Sequence, residues 1–211
     1  MPVWSVKKVW TGKDVFVVGG GNSLRNFDWS LLENEKTIGC NQAYERGVEI
    51  CIFGDEPWFN DNKDRLLKYV EQGGTVCTNC TQLFRKGPRW LWTFDRCNRG
   101  AAKHTYLAWN KNTGASAVNL AAQLGAKRIF LLGFDMMNRD SKSNWHDRYK
   151  TKTSEQSYKQ FVQGFKRLAD GLENNFDVEV INVTDASNLC VFEKVPVAEF
   201  WSDRHGSNHQ L

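Results

Sequence analysis

Asp14-Val-Phe-Val-Val-Gly-Gly-Gly-Asn-Ser23 joins a run of apolar, mostly β-branched residues to three consecutive glycines. A run this short and this continuous, closed by turn residues, reads as a buried strand entering a tight turn. The same shape recurs at Arg128-Ile-Phe-Leu-Leu-Gly-Phe-Asp135, the most apolar strand in the chain. Strands that are apolar on both sides belong in a sheet covered on both faces.

Working outward, Lys36–Cys40, Glu49–Phe53 and Thr75–Thr78 are three more short strands, and Asp177–Val183 is a last one. Helical spacing falls between them. Leu66, Leu67 and Val70 mark a helix over Asp61–Glu71, stopped by Gly73-Gly74. Thr113–Leu124 reads as a helix with Thr113 as its cap and Gly125 as its stop. Tyr158, Phe161, Val162, Phe165, Leu168 and Ala169 form the apolar stripe of a long helix over Ser154–Leu172. From Ser202 onward the chain is polar and is expected to fray. Parallel strands cannot be joined by tight turns, so this alternation predicts an α/β fold: a Rossmann-like, mostly parallel sheet with helices on both faces, in a single domain over residues 1–211.

Of the 211 residues, 41% are hydrophobic and 25% charged, the balance of a globular protein, and the net charge is +4. No run approaches the roughly 18 apolar residues of a membrane span. The first residues carry lysines but no apolar stretch followed by small residues, so the expected compartment is the cytosol. There the cysteines at 40, 51, 77, 80, 97 and 190 are expected to stay reduced.

Ligands of doubly wound sheets bind beyond the carboxyl ends of the strands. In this chain those ends carry Gly19, Gly20, Gly21, Asn22 and Ser23, then Asn41 and Gln42, then Asp55, then Gly133 and Asp135. The glycine turn offers free amides to a phosphate or carboxylate, although it is neither the dinucleotide fingerprint nor a phosphate loop. A side chain at Gly21 is therefore expected to obstruct the ligand more than the fold. Asn41 and Gln42 suit a base edge or ribose, and Asp135 could accept from ribose hydroxyls; Asn41 and Asp135 are also plausible turn or helix caps. Cys77, Cys80, Cys97 and His104 lack the paired spacing of a zinc site, and no metal is expected on them. Trp90, Trp92 and Trp109, near the basic segment Arg85–Arg99, are either core and rim packing or a stacking surface for bases or sugars.

Taken together, Phe16–Leu24, Cys40–Gln42, Phe53–Asp55, Asn112–Gly114 and Gly125–Asp135 resemble, in their order, the single-domain Rossmann-like bacterial sialyltransferases. The pattern is also similar to the family named for archaeal hydroxymethylpterin diphosphokinase, which includes many phage and bacterial proteins. The likeness continues to Val180–Ser187 and so covers most of the chain. It implies a transferase with a nucleotide pocket lined by Gly19, Gly20, Gly21, Asn22, Ser23, Asn41, Gln42, Asp55, Asn112, Thr113, Gly114, Gly133 and Asp135. His146, in the polar loop Ser141–Asp147, would match the family's catalytic base, with Asp135 beside it. The donor would be nucleotide-linked or diphosphate-containing, and the acceptor a hydroxyl or amine. Diphosphate transfer would need Mg²⁺ on carboxylates such as Asp55 and Asp135, and a phage-type enzyme, working in the host cytoplasm, could take nucleic acid as its acceptor. This chain has Gly20 where the sialyltransferases have asparagine, and Met136 and Met137 where they have tyrosines that help the leaving phosphate. Both departures weigh against a cytidine-linked sialic acid donor. Lys142, Arg148 and Lys150 are the cations expected to serve the phosphate instead.

Overall fold

The computed structural model describes residues 5–98, 100–139, 142–149 and 151–206. Alternation within each strand sorts its side chains into two layers. In β1 (Asp14–Val18), Val15 and Val17 enter one core and Phe16 and Val18 the other; Ile129 and Leu131 against Phe130 and Leu132 do the same in β8 (Arg128–Leu132). This period of two, buried on both sides, is why those runs are almost wholly apolar.

Between them the chain forms β2 (Lys36–Cys40), β3 (Ile50–Phe53), α1 (Glu56–Glu71), β4 (Thr75–Thr78), β5 (Leu91–Thr93), β6 (Asp95–Cys97), β7 (Tyr106–Ala108) and α2 (Thr113–Leu124). After β8 come α3 (Glu155–Asn175), β9 (Glu179–Asn182), β10 (Glu193–Lys194) and α4 (Val197–Gly206). Eight strands form one parallel sheet in the order β10-β9-β8-β1-β2-β3-β4-β5, and β6 and β7 form a separate parallel pair. From β1 the chain first winds outward through β2 to β5, then returns to the other side of β1 at β8. The sheet thus reverses direction between β1 and β8, the place where open α/β sheets leave a crevice.

Helices α2 and α3 cover the layer that holds Val15, Ile52 and Ile129, while α1 and α4 cover the layer that holds Phe16, Phe53 and Phe130. The chain departs from the sequence reading at several ends. Helix α1 begins at Glu56, not Asp61, because Pro57 suits a first turn and Trp58 and Phe59 are buried on its inner side. The cap of α2 is Asn112, whose side chain accepts from Gly114 N at 2.8 Å and Ala115 N at 3.4 Å; Thr113 is the first helical residue. The segment from Ser202 to Gly206 is helical, since α4 is pinned by Trp201 stacked on Phe16 at 5.5 Å and by Arg204 bound to Asp14 and Glu35. Residues 207–211 lie outside the described residues. Among those described, no helix is long and apolar enough to cross a membrane.

Candidate active site

The crevice between β1 and β8 is stitched by the backbone. Gly19 N donates to Leu132 O and Gly21 N to Gly133 O, each at 2.8 Å. The two strand exits therefore run side by side, and a Cβ on Gly19 would strike Gly133 O and the Phe134 ring. One on Gly21 would strike the Asp135 carboxylate, whereas Gly20 faces only the Asn144 side chain. Gly19 and Gly21 are glycine because the turn packs on β8, and only Gly20 looks toward the opening. This corrects the expectation that Gly21 matters chiefly to a ligand.

Above these exits lies an open cleft of about 360 Å³, within the usual range for small-molecule sites. Gly19, Gly20, Gly21, Asn41, Asp55, Asn112, Thr113, Gly114, Gly133, Asp135 and His146 all line it. Asn22, Ser23 and Gln42 do not. The short 3-10 turn Asn22–Leu24 carries the first two away: Asn22 Nδ2 donates to Arg139 O at 3.3 Å, and Ser23 donates through N (2.9 Å) and Oγ (2.5 Å) to Asp135. Gln42 is buried beneath α1, accepting from Trp58 Nε1 at 2.8 Å and donating to Asn62 Oδ1 at 3.0 Å. It has no polar atom left for a base.

Asp135 is 1% exposed, and its carboxylate holds Ser23. Burial raises its pKa, against the lowering pull of the Ser23 hydrogen bonds and of Arg139. It ties the glycine turn to β8 and is a positioning residue in this geometry. Asn112 is likewise committed to capping α2, and its Nδ2 reaches Phe161 O at 3.4 Å. Asp55 is exposed and makes no side-chain cap, so its carboxylate stays open to the cleft. Asn41 turns the chain with φ +51°, a conformation asparagine tolerates, and its Oδ1 is buried without a hydrogen-bond partner.

His146 comes from the loop between β8 and α3, where Ser141 and Lys150 lie outside the described residues. The loop is anchored by Trp145, 6% exposed, whose N donates to Gly20 O at 3.1 Å and Nε1 to Gly19 O at 3.3 Å. Its ring packs on Trp29, and Arg46 lies against both rings. The imidazole sits edge-on between Trp145 and Tyr149, at 4.9 and 4.8 Å. That burial pulls its pKa down to about 4, with Glu45 opposing the shift and Arg148 adding to it. His146 Nδ1 accepts from Arg148 N at 3.3 Å, which places the proton of the resting neutral ring on Nε2.

Of the cations expected from this loop, the two that are described are engaged elsewhere. Lys142 pairs with Asp147 at 2.9 Å and Arg148 with Glu45 at 3.0 Å. Among the described residues the lysine lining the cleft is Lys111, beside Trp109, and the phenols are those of Tyr149 and Tyr158. These residues were missed because nothing in local spacing marks them; the one signal for Lys111 is its place just before the glycine-opened start of α2. Trp90 and Trp92 pack into opposite core layers and share no surface. Cys77 and Cys80 are likewise divided between the two layers. Among the described residues no three His, Cys, Asp or Glu side chains converge as a metal site, and Asp135 is already bound to Ser23, so Asp55 and Asp135 do not fit the expected Mg²⁺.

The class these features define is a doubly wound α/β fold with one cleft at its switch point. No protein-family model matches the chain, and no curated protein matches it by sequence. Solved structures do match its fold. The sialyltransferase CstII from Campylobacter jejuni, in complex with the substrate analogue CMP-3FNeuAc, superposes with a TM-score of 0.56 at 16% identity, over 89% of this chain and 88% of that one. CstII with cytidine-5'-monophosphate gives 0.57 at 14% identity, over 88% and 85%. The monofunctional alpha-2,3-sialyltransferase Cst-I from the same organism gives 0.57 at 13% identity, over 94% and 95%. At these identities the likeness is one of fold.

Proposed function

We propose that the chain is a transferase that holds a nucleotide-linked sugar in the switch-point cleft and passes the sugar to an acceptor hydroxyl or amine. The observation that carries this reading is the convergence on one cleft of the glycine turn, the N-terminus of α2 and a loop histidine. The amides of Gly20 and of Thr113, the first residue of α2, make no hydrogen bond among the described residues and suit a phosphate, while Gly114 N and Ala115 N are held by the Asn112 cap. Fold neighbours whose structures hold CMP or a CMP-sugar analogue support a nucleotide there.

In the proposed step the bond from the sugar's anomeric carbon to the phosphate oxygen breaks, and the electron pair leaves with the nucleoside monophosphate. The acceptor oxygen or nitrogen bonds to that carbon, and its proton passes to His146. The ring is neutral at working pH, so it is free to accept. Taking the proton on Nε2 requires the ring to move its own proton to Nδ1, releasing the long contact from Arg148 N. The negative phosphate beside it then favours the imidazolium. Tyr149 and Tyr158 place hydroxyls in the same cleft and stand in for the tyrosines absent at Met136 and Met137. Lys111 offers the charge that Lys142 and Arg148 do not.

The test is release of nucleoside monophosphate from nucleotide sugars, with and without acceptor, by the parent and by His146→Ala. Loss of a positioned base costs about 10²- to 10⁴-fold in rate. Such a loss, with nucleotide affinity kept, is the expected result; turnover at the parental rate removes His146 from the mechanism.

A further inference from the structure

A second, larger hollow of about 670 Å³ adjoins the cleft, and Trp109 and Lys111 line both. One wall is helix α3. Its residues 156, 159, 160, 163 and 167 recur at helical spacing on the side away from the apolar stripe, and they line the hollow. The other wall is built by Arg96, Asn98 and the segment Trp109–Lys111. Gly164 and Gly171, two turns apart, bring the helix onto this part of the chain: a Cβ on Gly164 would strike Asn110 O, and one on Gly171 would strike the Gly100–Ala101 backbone.

The lining is cationic. Among the described residues it contains Arg96, Lys111, Lys159 and Arg167 and no carboxylate, and none of the four makes an ion pair there. Arg96 is fixed in place, its Nε donating to Asn79 O at 2.9 Å, its Nη2 to Gly54 O at 3.2 Å, and its guanidinium lying 4.2 Å from the Trp109 ring. Between the charges sit the amides of Gln156, Gln160 and Gln163. Asn110, 1% exposed, also lines the hollow, and its buried Oδ1 has no hydrogen-bond partner.

We infer that this groove holds the acceptor, and that the acceptor is an acidic saccharide whose carboxylate, sulfate or phosphate groups meet Arg96, Lys159 and Arg167. Amides alternating with charges match hydroxyls alternating with acid groups, and one indole serves as a platform for one sugar ring. A polynucleotide would call for several rings on which successive bases stack; among the described residues that line this groove Trp109 is the one aromatic side chain. Trp109, shared by both hollows, puts the end of such an acceptor beside the donor. The assignment of acceptor rests on the transferase reading, whereas the anion groove itself does not.

The test is calorimetric titration with tetragalacturonate, sulfated and phosphorylated tetrasaccharides, maltotetraose as the neutral counterpart, and the oligonucleotide dT10, with CMP titrated separately. At least one acidic saccharide is expected to bind while maltotetraose does not. Lys159→Gln combined with Arg167→Gln, both exposed changes, is expected to weaken that binding at least about tenfold, as loss of two charge-assisted hydrogen bonds requires, with CMP affinity unchanged. No binding by any acidic saccharide, equal binding of maltotetraose, or indifference to the double substitution overturns the proposal. Tighter, steeply salt-dependent binding of dT10 overturns it in favour of nucleic acid. Acidic saccharide bound in this groove with no affinity for CMP would keep the anion groove and defeat the donor site.

Discussion

The pKa of His146 follows from its position between two aromatic edges. A base must be unprotonated to act, so activity is lost as pH falls through the pKa, and here that fall should come near pH 4, not at the 6.5 of a solvated imidazole. Profiles of kcat/KM, which report the free enzyme, should therefore stay flat down to about pH 5. The kcat profile should fall at a higher pH, because bound phosphate stabilises the imidazolium. An acid limb near 6.5 in kcat/KM would show that His146 is solvated or is not the base. The glycine turn separates packing from ligand approach just as sharply. Gly21→Ala forces a methyl group onto the Asp135 carboxylate and Gly133 O, and overpacking of that kind costs about 1–3 kcal/mol. Gly20→Ala meets only the Asn144 side chain and should leave the denaturation midpoint close to the parent's while weakening nucleotide. Equal destabilisation by both changes would contradict the division of roles.

Among the elements, α4 shows how tertiary contacts override a polar composition. Its sequence has little amphipathic pattern, yet Phe200 and Trp201 pack on Phe16 and Arg204 binds Asp14 at 2.9 Å and Glu35 at 2.7 Å. Burial tends to raise the Asp14 pKa, but hydrogen bonds from Arg128 and Arg204 outweigh it and hold the carboxyl below its usual value. A depressed folded-state pKa contributes stability that is present above the unfolded value and is lost as pH falls through the folded one. Arg204→Ala should therefore lower stability at neutral pH by about 1–3 kcal/mol, and by less in acid, without changing affinity for CMP. Chemical denaturation at pH 7 and pH 3 checks this, and an equal loss at both would show that Arg204 acts through its packing over Phe16 and not through its ion pairs.

At the scale of the whole molecule, the fold was legible because its central strands are buried on both sides and end in glycine or polar residues; β1 and β8 announce themselves. The edges were not, since β5, β6, β7 and β10 are two or three residues long and carry no period of their own. The cleft was legible where backbone geometry makes it, at Gly19–Gly21 and Gly133–Asp135. It was misread where a polar side chain at a strand end could turn either way: Gln42 went beneath α1, and Ser23 went to Asp135. Lys111, Tyr149 and Tyr158 reach the cleft only through the path of the chain, which local spacing does not encode. A nucleotide is proposed to occupy the crevice where the strand order reverses between β1 and β8. The structure of the protein bound to CMP tests it directly: the expected result is the phosphate against Gly20 and the first turn of α2, with His146 beside it. CMP bound at the opposite edge of the sheet, or no binding by CMP or any other nucleotide, would contradict it.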